Sequence, residues 1–308
     1  MKKILIFLAA VFSFDATAFA LNFVNADIKA GLGYSDNVYQ DDLNKKSDTY
    51  SWLGFSLKYK LEDASLAGRA QVYLYNKESD NNNLTYSLKY KPEEQFLKSD
   101  VTLSFGGYNY FKSDVGSTEE SYNNIYFLVY LTNKFYEKPK FNSYFEPGLK
   151  FTSYSQLSGR YDFNPYARIN ADWELKDNLL IMPYFELGLI YSNQSYFTRS
   201  NIDFGATAEF TLPDDILFSA DVFLRRTVYP NRKVSDIISL PRRQGRTTTQ
   251  SIEVSERTNL AQFTLEIMKQ MPTYEYGANV SRSSLNSLSE LEYYNENQIN
   301  VFARILFD

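Results

Sequence analysis

The sequence predicts an all-β fold: a transmembrane, antiparallel, up-and-down β-barrel of about fourteen strands. Three observations predict it. Apolar residues recur at every second position in segment after segment, which is the period of a strand. The connections between segments alternate between longer polar loops and tight turns, as they do when every loop lies on one side of a membrane and every turn on the other. Beyond the first twenty residues no apolar run approaches the ~18 needed for a membrane-spanning helix.

Those first residues, MKKILIFLAAVFSFDATAFA, form a secretory signal peptide (1–20). Lys2 and Lys3 make the positive start, Ile4 to Phe14 the apolar stretch, and Ala18-Phe19-Ala20 the cleavage site. Residues 21–308 then form one domain. Losing Lys2, Lys3 and Asp15 leaves 30 basic and 36 acidic residues, so the net charge moves from −5 to −6. Cys is absent, so no disulfide framework supports the fold. The acidic balance argues against a nucleic-acid partner.

The first stripe lies in VNADIKAGLGY (24–34), where Val24, Ala26, Ile28, Ala30, Leu32 and Tyr34 share a face. Leu53 to Leu61, Leu66 to Leu74, Leu84 to Tyr90 and Val101 to Phe105 follow. Next come Ile125 to Phe135, Phe145 to Phe151, Phe163 to Leu175 and Leu179 to Tyr191. Ile202 to Leu212 alternates without a break, and Phe218 to Leu224, Ala261 to Ile267 and Tyr274 to Val280 complete the interior set. The last stripe, in QINVFARILFD (298–308), holds Ile299, Val301, Ala303, Ile305 and Phe307, with Phe302 and Leu306 on the opposite face. The tight turns are EDAS (62–65), KPEE (91–94), EKPK (137–140), KDN (176–178), PDD (213–215) and QMPT (270–273). The longest loop spans 226–258. A strand of ~10 residues tilted by ~40° spans about 25 Å, the height of an outer-membrane apolar band. Aromatic residues mark the stripe ends, Tyr59, Tyr90, Phe135, Phe141, Trp173, Phe210, Tyr274 and Phe307 at the turn side and Tyr34, Phe151, Phe163 and Tyr191 at the loop side, as interfacial belts do. A soluble β-sandwich also alternates, but it needs neither the asymmetry of connections nor so many comparable strands. Pro147, Pro165 and Pro183 fall on stripe positions; each removes a ladder donor, so bulges or kinks are expected there.

Positions between the stripe residues face the lumen. One wall is basic there: Lys29, Lys58, Arg69 and Lys89. The other is mostly acidic, with Glu146, Glu186, Asp203, Glu209, Asp221 and Glu266. Opposed walls set up a transverse field that favours polar solutes; alternatively the charges pair and fill the interior. Fourteen strands enclose more than the eight that side chains can fill, and less than open porins of 16–18. Tyr73, Tyr108, Tyr126, Tyr144, Tyr166 and Tyr184 also face inward, alongside inward glycines such as Gly31, Gly33, Gly106, Gly148, Gly205 and Gly277. Such tyrosines suit sugar rings passing along the wall, or else pack over the glycines and stiffen it.

With neither His nor Cys, the usual base–nucleophile pairs cannot form, which argues against an enzyme. A paired-carboxylate mechanism is formally open because inward acids are plentiful. Nucleotide-binding glycine motifs and zinc-ligand spacings are absent, so no cofactor or metal is expected.

Signal peptide, stripes and C-terminal aromatic strand together resemble a Gram-negative outer-membrane β-barrel. Within that class, GLGYSDNVY (31–39) is similar to the first-hairpin segment of barrels associated with exopolysaccharide export. Asp36 and Asn37 in it either cap a turn or touch a cation. The resemblance implies an outer-membrane location, contact with lipid and lipopolysaccharide, and assembly by the barrel-assembly machinery. Two functions fit: a pore or channel for small polar solutes, saccharides among them, or a structural or adhesive barrel with a plugged lumen. In the second, loop 226–258 binds an external partner; that loop holds seven basic residues against three acidic ones. It is a solvated loop, a lipopolysaccharide contact, or a constriction folded inward. Val301, Ala303, Ile305 and Phe307 resemble the terminal signal read by the assembly machinery, which usually ends on the aromatic itself rather than one residue before the end. Replacing Phe307 by Ser is therefore expected to lower the amount of barrel in the outer membrane, while deleting Asp308 leaves it unchanged. Immunoblots of fractionated membranes check both.

Overall fold

The computed structural model describes residues 23–38, 46–111, 123–155, 159–241, 247–288 and 294–307, with backbone only for 23, 24, 235–241 and 247–252. The expected signal peptide, the tip 242–246 and Asp308 lie outside the described residues. Fourteen strands form the wall: β1 Phe23–Ser35, β2 Asp48–Lys60, β3 Ala64–Tyr75, β4 Asn83–Pro92, β5 Asp100–Tyr110, β6 Asn124–Lys138 and β7 Phe141–Tyr154. The second half comprises β8 Tyr161–Lys176, β9 Leu179–Ser192, β10 Arg199–Leu212, β11 Ile216–Pro241, β12 Thr247–Gln270, β13 Tyr274–Ser287 and β14 Tyr294–Phe307. Each pairs with its sequence neighbours, and β14 closes on β1, so the sheet is a closed barrel. Closure leaves no row of unpaired N–H and C=O groups, which hydrocarbon would penalise heavily.

The stripes point outward. Leu32 is 63% exposed, Val301 51% and Phe135 56%, whereas Asp27, Asp203 and Glu275 are buried. A soluble barrel has the reverse arrangement, because apolar area left in water forfeits about 25 cal/mol per Å². Exposed Tyr90, Phe135, Trp173, Tyr274 and Phe307 ring one end, and Tyr34, Phe151, Phe163 and Tyr191 the other.

Connections alternate as expected, with 36–47, 76–82, 111–123, 155–160, 193–198, 242–246 and 288–293 at the loop end. The turn end has 61–63, 93–99, 139–140, 177–178, 213–215 and 271–273. Two expectations are corrected. The turn after β4 is not KPEE: the chain runs on to a Phe96↔Ser99 bridge closed by Leu97 and Lys98, both at positive φ (51° and 63°), the backbone of a two-residue hairpin loop. Residues 226–258 are not a loop either. β11 and β12 pair through this region, from Arg226↔Asn259 to Pro241↔Thr247, with one irregularity between Tyr229 and Lys233. Beyond Val228 and Thr258 neither strand pairs with β10 or β13, so the two continue as a ribbon of roughly 40 Å at ~3.3 Å per residue. TTTQSIEVSE (247–256) is rich in β-branched residues, which favours extended backbone even without an apolar stripe.

The prolines also behave differently from expectation. None produces a register shift. Instead the ladder lapses on one side: at Pro147 between Tyr130↔Gly148 and Asn133↔Phe145, and at Pro165 and Pro183 within the β8–β9 pairing. On the other side pairing continues as Pro147↔Ala167, Leu149↔Pro165 and Pro183↔Ala206. A proline lacks only its N–H, so it sacrifices bonds toward one neighbour and keeps the register. The irregularities in β6 and β8 fall nearer the turn end, at Lys134/Tyr136 and Glu174/Lys176.

Inward glycines receive aromatic rings from adjacent strands. Tyr50 and Trp52 lie over Gly33 and Gly31, Tyr126 over Gly106, Tyr166 over Gly148, Tyr184 over Gly205 and Phe302 over Gly277, each so close that a Cβ would collide with the ring. Such ring-over-glycine contacts pin register across neighbouring strands. Gly148→Val is expected to destabilise the refolded barrel by about 1–3 kcal/mol through overpacking against Tyr166, with G148V/Y166A recovering part of the loss. The urea midpoint in detergent measures both.

Candidate functional site

Alternation sends the polar half of every strand into the lumen, and there the strand order decides which charges meet. β3 and β10 lie seven strands apart in a ring of fourteen, so the basic wall of β2–β4 stands opposite β9–β11. Lys58 and Lys89 flank Ala67 in one row, Lys58↔Ala67 and Ala67↔Lys89, two strand spacings or ~10 Å apart. Arg69 sits in the next lumenal row, between Ser56 and Ser87. All three are exposed to the lumen. Among the described residues none of them forms an ion pair; the nearest polar contact of Arg69 is to Gln71 at 3.4 Å. Lys29 is set differently. Its ammonium lies 3.6 Å from the centroid of the Phe302 ring and 5.7 Å from that of Trp52.

The acidic residues are held by partners within their own wall. Arg168 pairs with Glu186 at 2.7 Å, and Arg225 grips Asp203 with two nitrogens, at 2.8 and 3.0 Å. Glu146 accepts from Thr132 and Asn170, both at 3.0 Å. Asp221 accepts from Thr207 at 2.5 Å, and Glu266 from Asn279 at 3.3 Å. Glu209 stands opposite Ser219 and Leu180 toward the turn end. Asymmetry between the walls is thus sharper than the sequence pattern implied: one carries three cations without an ion-pair partner among the described residues, the other acids with several built-in bonds. Arg304 of β14 bridges both its neighbours, to Asp27 across the closing seam at 3.0 Å and to Glu275 of β13 at 2.9 Å.

The inward tyrosines differ in their surroundings. Tyr126, Tyr166 and Tyr184 cover glycines, and Tyr144 donates to Asp172 at 3.0 Å. Tyr73 accepts from Gln71 at 2.8 Å and belongs to an aromatic lane that the sequence pattern did not single out. Phe302 and Trp52 have centroids 6.4 Å apart, Trp52 and Tyr73 6.4 Å, Tyr73 and Tyr50 5.8 Å, and Tyr50 and Tyr75 5.1 Å. Tyr108 and Tyr110 form a further pair at 5.0 Å. Trp52 and Phe302 are large apolar residues on the lumenal face, so binary patterning alone gives no reason to assign them a lumenal role. Asp36 and Asn37 tie the chain after β1 to the start of β14: Asp36 accepts from the Asn297 backbone and side-chain nitrogens at 2.7 Å, and fully buried Asn37 donates to the Asn295 carbonyl at 3.0 Å.

At the loop end two arginines hold the short 3-10 turn Ser195–Phe197. Arg160, fully buried, lies between Tyr154 (4.2 Å) and Phe197 (3.7 Å) and pairs with Asp162 at 2.7 Å. Arg232 stacks on Tyr229 (3.8 Å) and Tyr196 (4.2 Å), donates to the Tyr196 carbonyl at 3.1 Å and sits 3.5 Å from Glu256. Arg232 belongs to the segment expected as a loop. Among the described residues no helix or strand occupies the barrel interior. The inner wall has a recess of about 350 Å³ between β3 and β7, which includes Arg69, Tyr108 and Tyr126.

This is the fold of outer-membrane β-barrels. CdiB from Acinetobacter baumannii superposes with a TM-score of 0.52 at 11% identity, over 92% of this chain and 60% of CdiB. A bacterial polysaccharide outer membrane secretin superposes with a TM-score of 0.51 at 8% identity, over 94% of this chain and 99% of that one. OmpT of Vibrio cholerae gives 0.49 at 9% identity, over 92% and 97% of the two chains. At such identities the likeness is one of architecture. No protein-family model matches the sequence, and no curated protein does.

Removing Arg225 strands the Asp203 carboxylate, whose side chain is 4% exposed while that of Arg225 is 26% exposed. Arg225→Gln is expected to cost about 2 kcal/mol, below the ~3–5 of a fully buried pair, and D203N/R225Q less than the single change. Detergent-phase unfolding of the three proteins checks the order.

Proposed function

We propose that the barrel is an outer-membrane channel for small polar solutes, saccharides among them, with its short turns on the periplasmic side. The observation that carries this reading is the unpaired lumenal cluster Lys58, Arg69 and Lys89. Charges whose only task is to fill an interior are expected to have partners, because each unpaired charge in a closed space costs several kcal/mol. Three cations left facing the lumen imply water and mobile anions beside them. Opposite them stand Asp221 and Glu209, and a solute passing between the walls crosses a transverse field that orients dipoles and disfavours apolar molecules.

In the lane from Phe302 to Tyr75, Phe302 and Tyr50 are buried, while Trp52, Tyr73 and Tyr75 are half-buried on the same side of the lumen, toward the loop end. Aromatic faces bearing hydroxyls suit sugar rings, which present C–H groups on one side and hydroxyls at the rim. Conduction through a field-lined lumen needs no base–nucleophile pair, in keeping with a chain that has no His or Cys.

The test is planar-bilayer recording from refolded mature protein. Unit conductance steps are expected for the native chain. In a salt gradient, K58Q/R69Q/K89Q is expected to shift the reversal potential toward cation preference by several millivolts. A native protein that gives no current in any salt would falsify the channel. A triple variant with unchanged selectivity would rule out the charged wall as the element that selects ions.

A further inference from the structure

We infer that the recess between β3 and β7 is a binding site for an acidic saccharide, a sugar unit carrying a carboxylate; this deepens the channel reading and rests on it for the solute's access. The recess is a hollow of about 350 Å³ in the lumenal wall, within the ~300–1,000 Å³ of small-molecule sites. Beside it the Tyr126 ring lies over Gly106, so close that a Cβ there would collide with it.

What lines the hollow has one chemistry. Both charged residues are cationic: Arg69 on β3 and Lys150 on β7, whose ammonium lies 4.7 Å from the Tyr126 ring centroid. No carboxylate borders it. Arg69 offers a planar fork that matches a carboxylate. Between the cations stand the hydroxyls of Thr85 and Ser87 and the amides of Gln71 and Asn124, which can donate and accept as sugar hydroxyls require. Tyr108 and Tyr126 add phenols. A neutral sugar gives Arg69 no counter-charge, and a bare inorganic anion leaves the amides and phenols unused. A carboxylated sugar answers all three groups at once.

Neighbouring features agree with this. Gln71 already donates to the Tyr73 hydroxyl at 2.8 Å, so the amide is oriented and the aromatic lane begins where the recess ends. Lys58 and Lys89 lie farther toward the turn end. An acidic saccharide arriving from the loop end would meet ring faces first, then the recess, then two further cations along the wall.

The test is calorimetric titration of the refolded full mature barrel in uncharged detergent, with a trimer of galacturonate, with maltotriose, and with inorganic phosphate. The expected result is binding of the tri-uronate at least tenfold tighter than either other probe. R69Q/K150Q should abolish that preference, and R69K should retain most of it. Equal affinity for maltotriose overturns the inference in favour of a neutral-sugar site, and equal affinity for phosphate in favour of a simple anion site. Absence of tri-uronate binding to the native protein overturns it outright, an outcome that does not depend on any variant folding. Bilayer current measured in parallel keeps the two claims apart: binding without current supports the site and sinks the channel, and current without binding does the reverse.

Discussion

Everything in this molecule follows from the demand that hydrocarbon makes on the backbone. An unpaired N–H or C=O in lipid costs several kcal/mol, so the ladder has to close, and it closes as β14 on β1. Closure fixes the rest in turn. It makes inside and outside strict alternates along each strand, so that one half of the sequence is selected for lipid and the other for the lumen. It also brings residues distant in the chain, such as those of β3 and β7, onto one inner wall.

The lumenal half then solves a second problem, which is to hold charge in a confined space without losing polarity. The acidic wall does so with arginines and neutral donors inserted among the acids, as in the Arg225–Asp203 and Arg168–Glu186 pairs. The basic wall contains no such insertions. Glycines opposite large rings serve both ends: they let Tyr50, Tyr166 and Tyr184 lie flat against the wall, which stiffens the sheet and keeps rings from blocking the interior.

Much of the barrel was legible because a period of two carries over many strands and lipid tolerates few exceptions. Strand number, order and facing, and the inward charges, all came from that one signal. Where lipid stops selecting, the signal stops too. The ribbon formed by β11 and β12 lies beyond the paired wall, and its Thr- and Ser-rich residues carry no apolar stripe, so it read as loop. Leu97 and Lys98 take a left-handed turn without the Gly or Asn that usually announces one. Pro147, Pro165 and Pro183 suggested bulges because a lost donor was equated with a lost register. At the candidate site, Lys58, Arg69 and Lys89 were visible as inward residues. That they lack ion-pair partners while Glu186 and Asp203 have them depends on cross-strand register, which composition does not encode. Trp52 and Phe302 were hidden by their own apolarity.

The closing seam differs from every other pairing in this wall. All other neighbours are consecutive strands, whereas Ala26↔Phe307 and Ser35↔Gln298 join the first strand to the last. Loop-closure entropy and contact order both place such a pairing late in folding. The side chains along it are suited to that role. Arg304 spans it to Asp27, Tyr50 reaches across β1 to Asn300 at 2.7 Å, Ser35 donates to Glu296 at 2.7 Å, and Asp36 bonds Asn297. These are directional contacts that reward one register alone. A late-forming edge that matched its partner only through apolar stripes could seal one pair of residues out of step at little penalty. Here a slipped seam would forfeit every one of these bonds, so the pairing with the greatest sequence separation is held to one register by polar contacts.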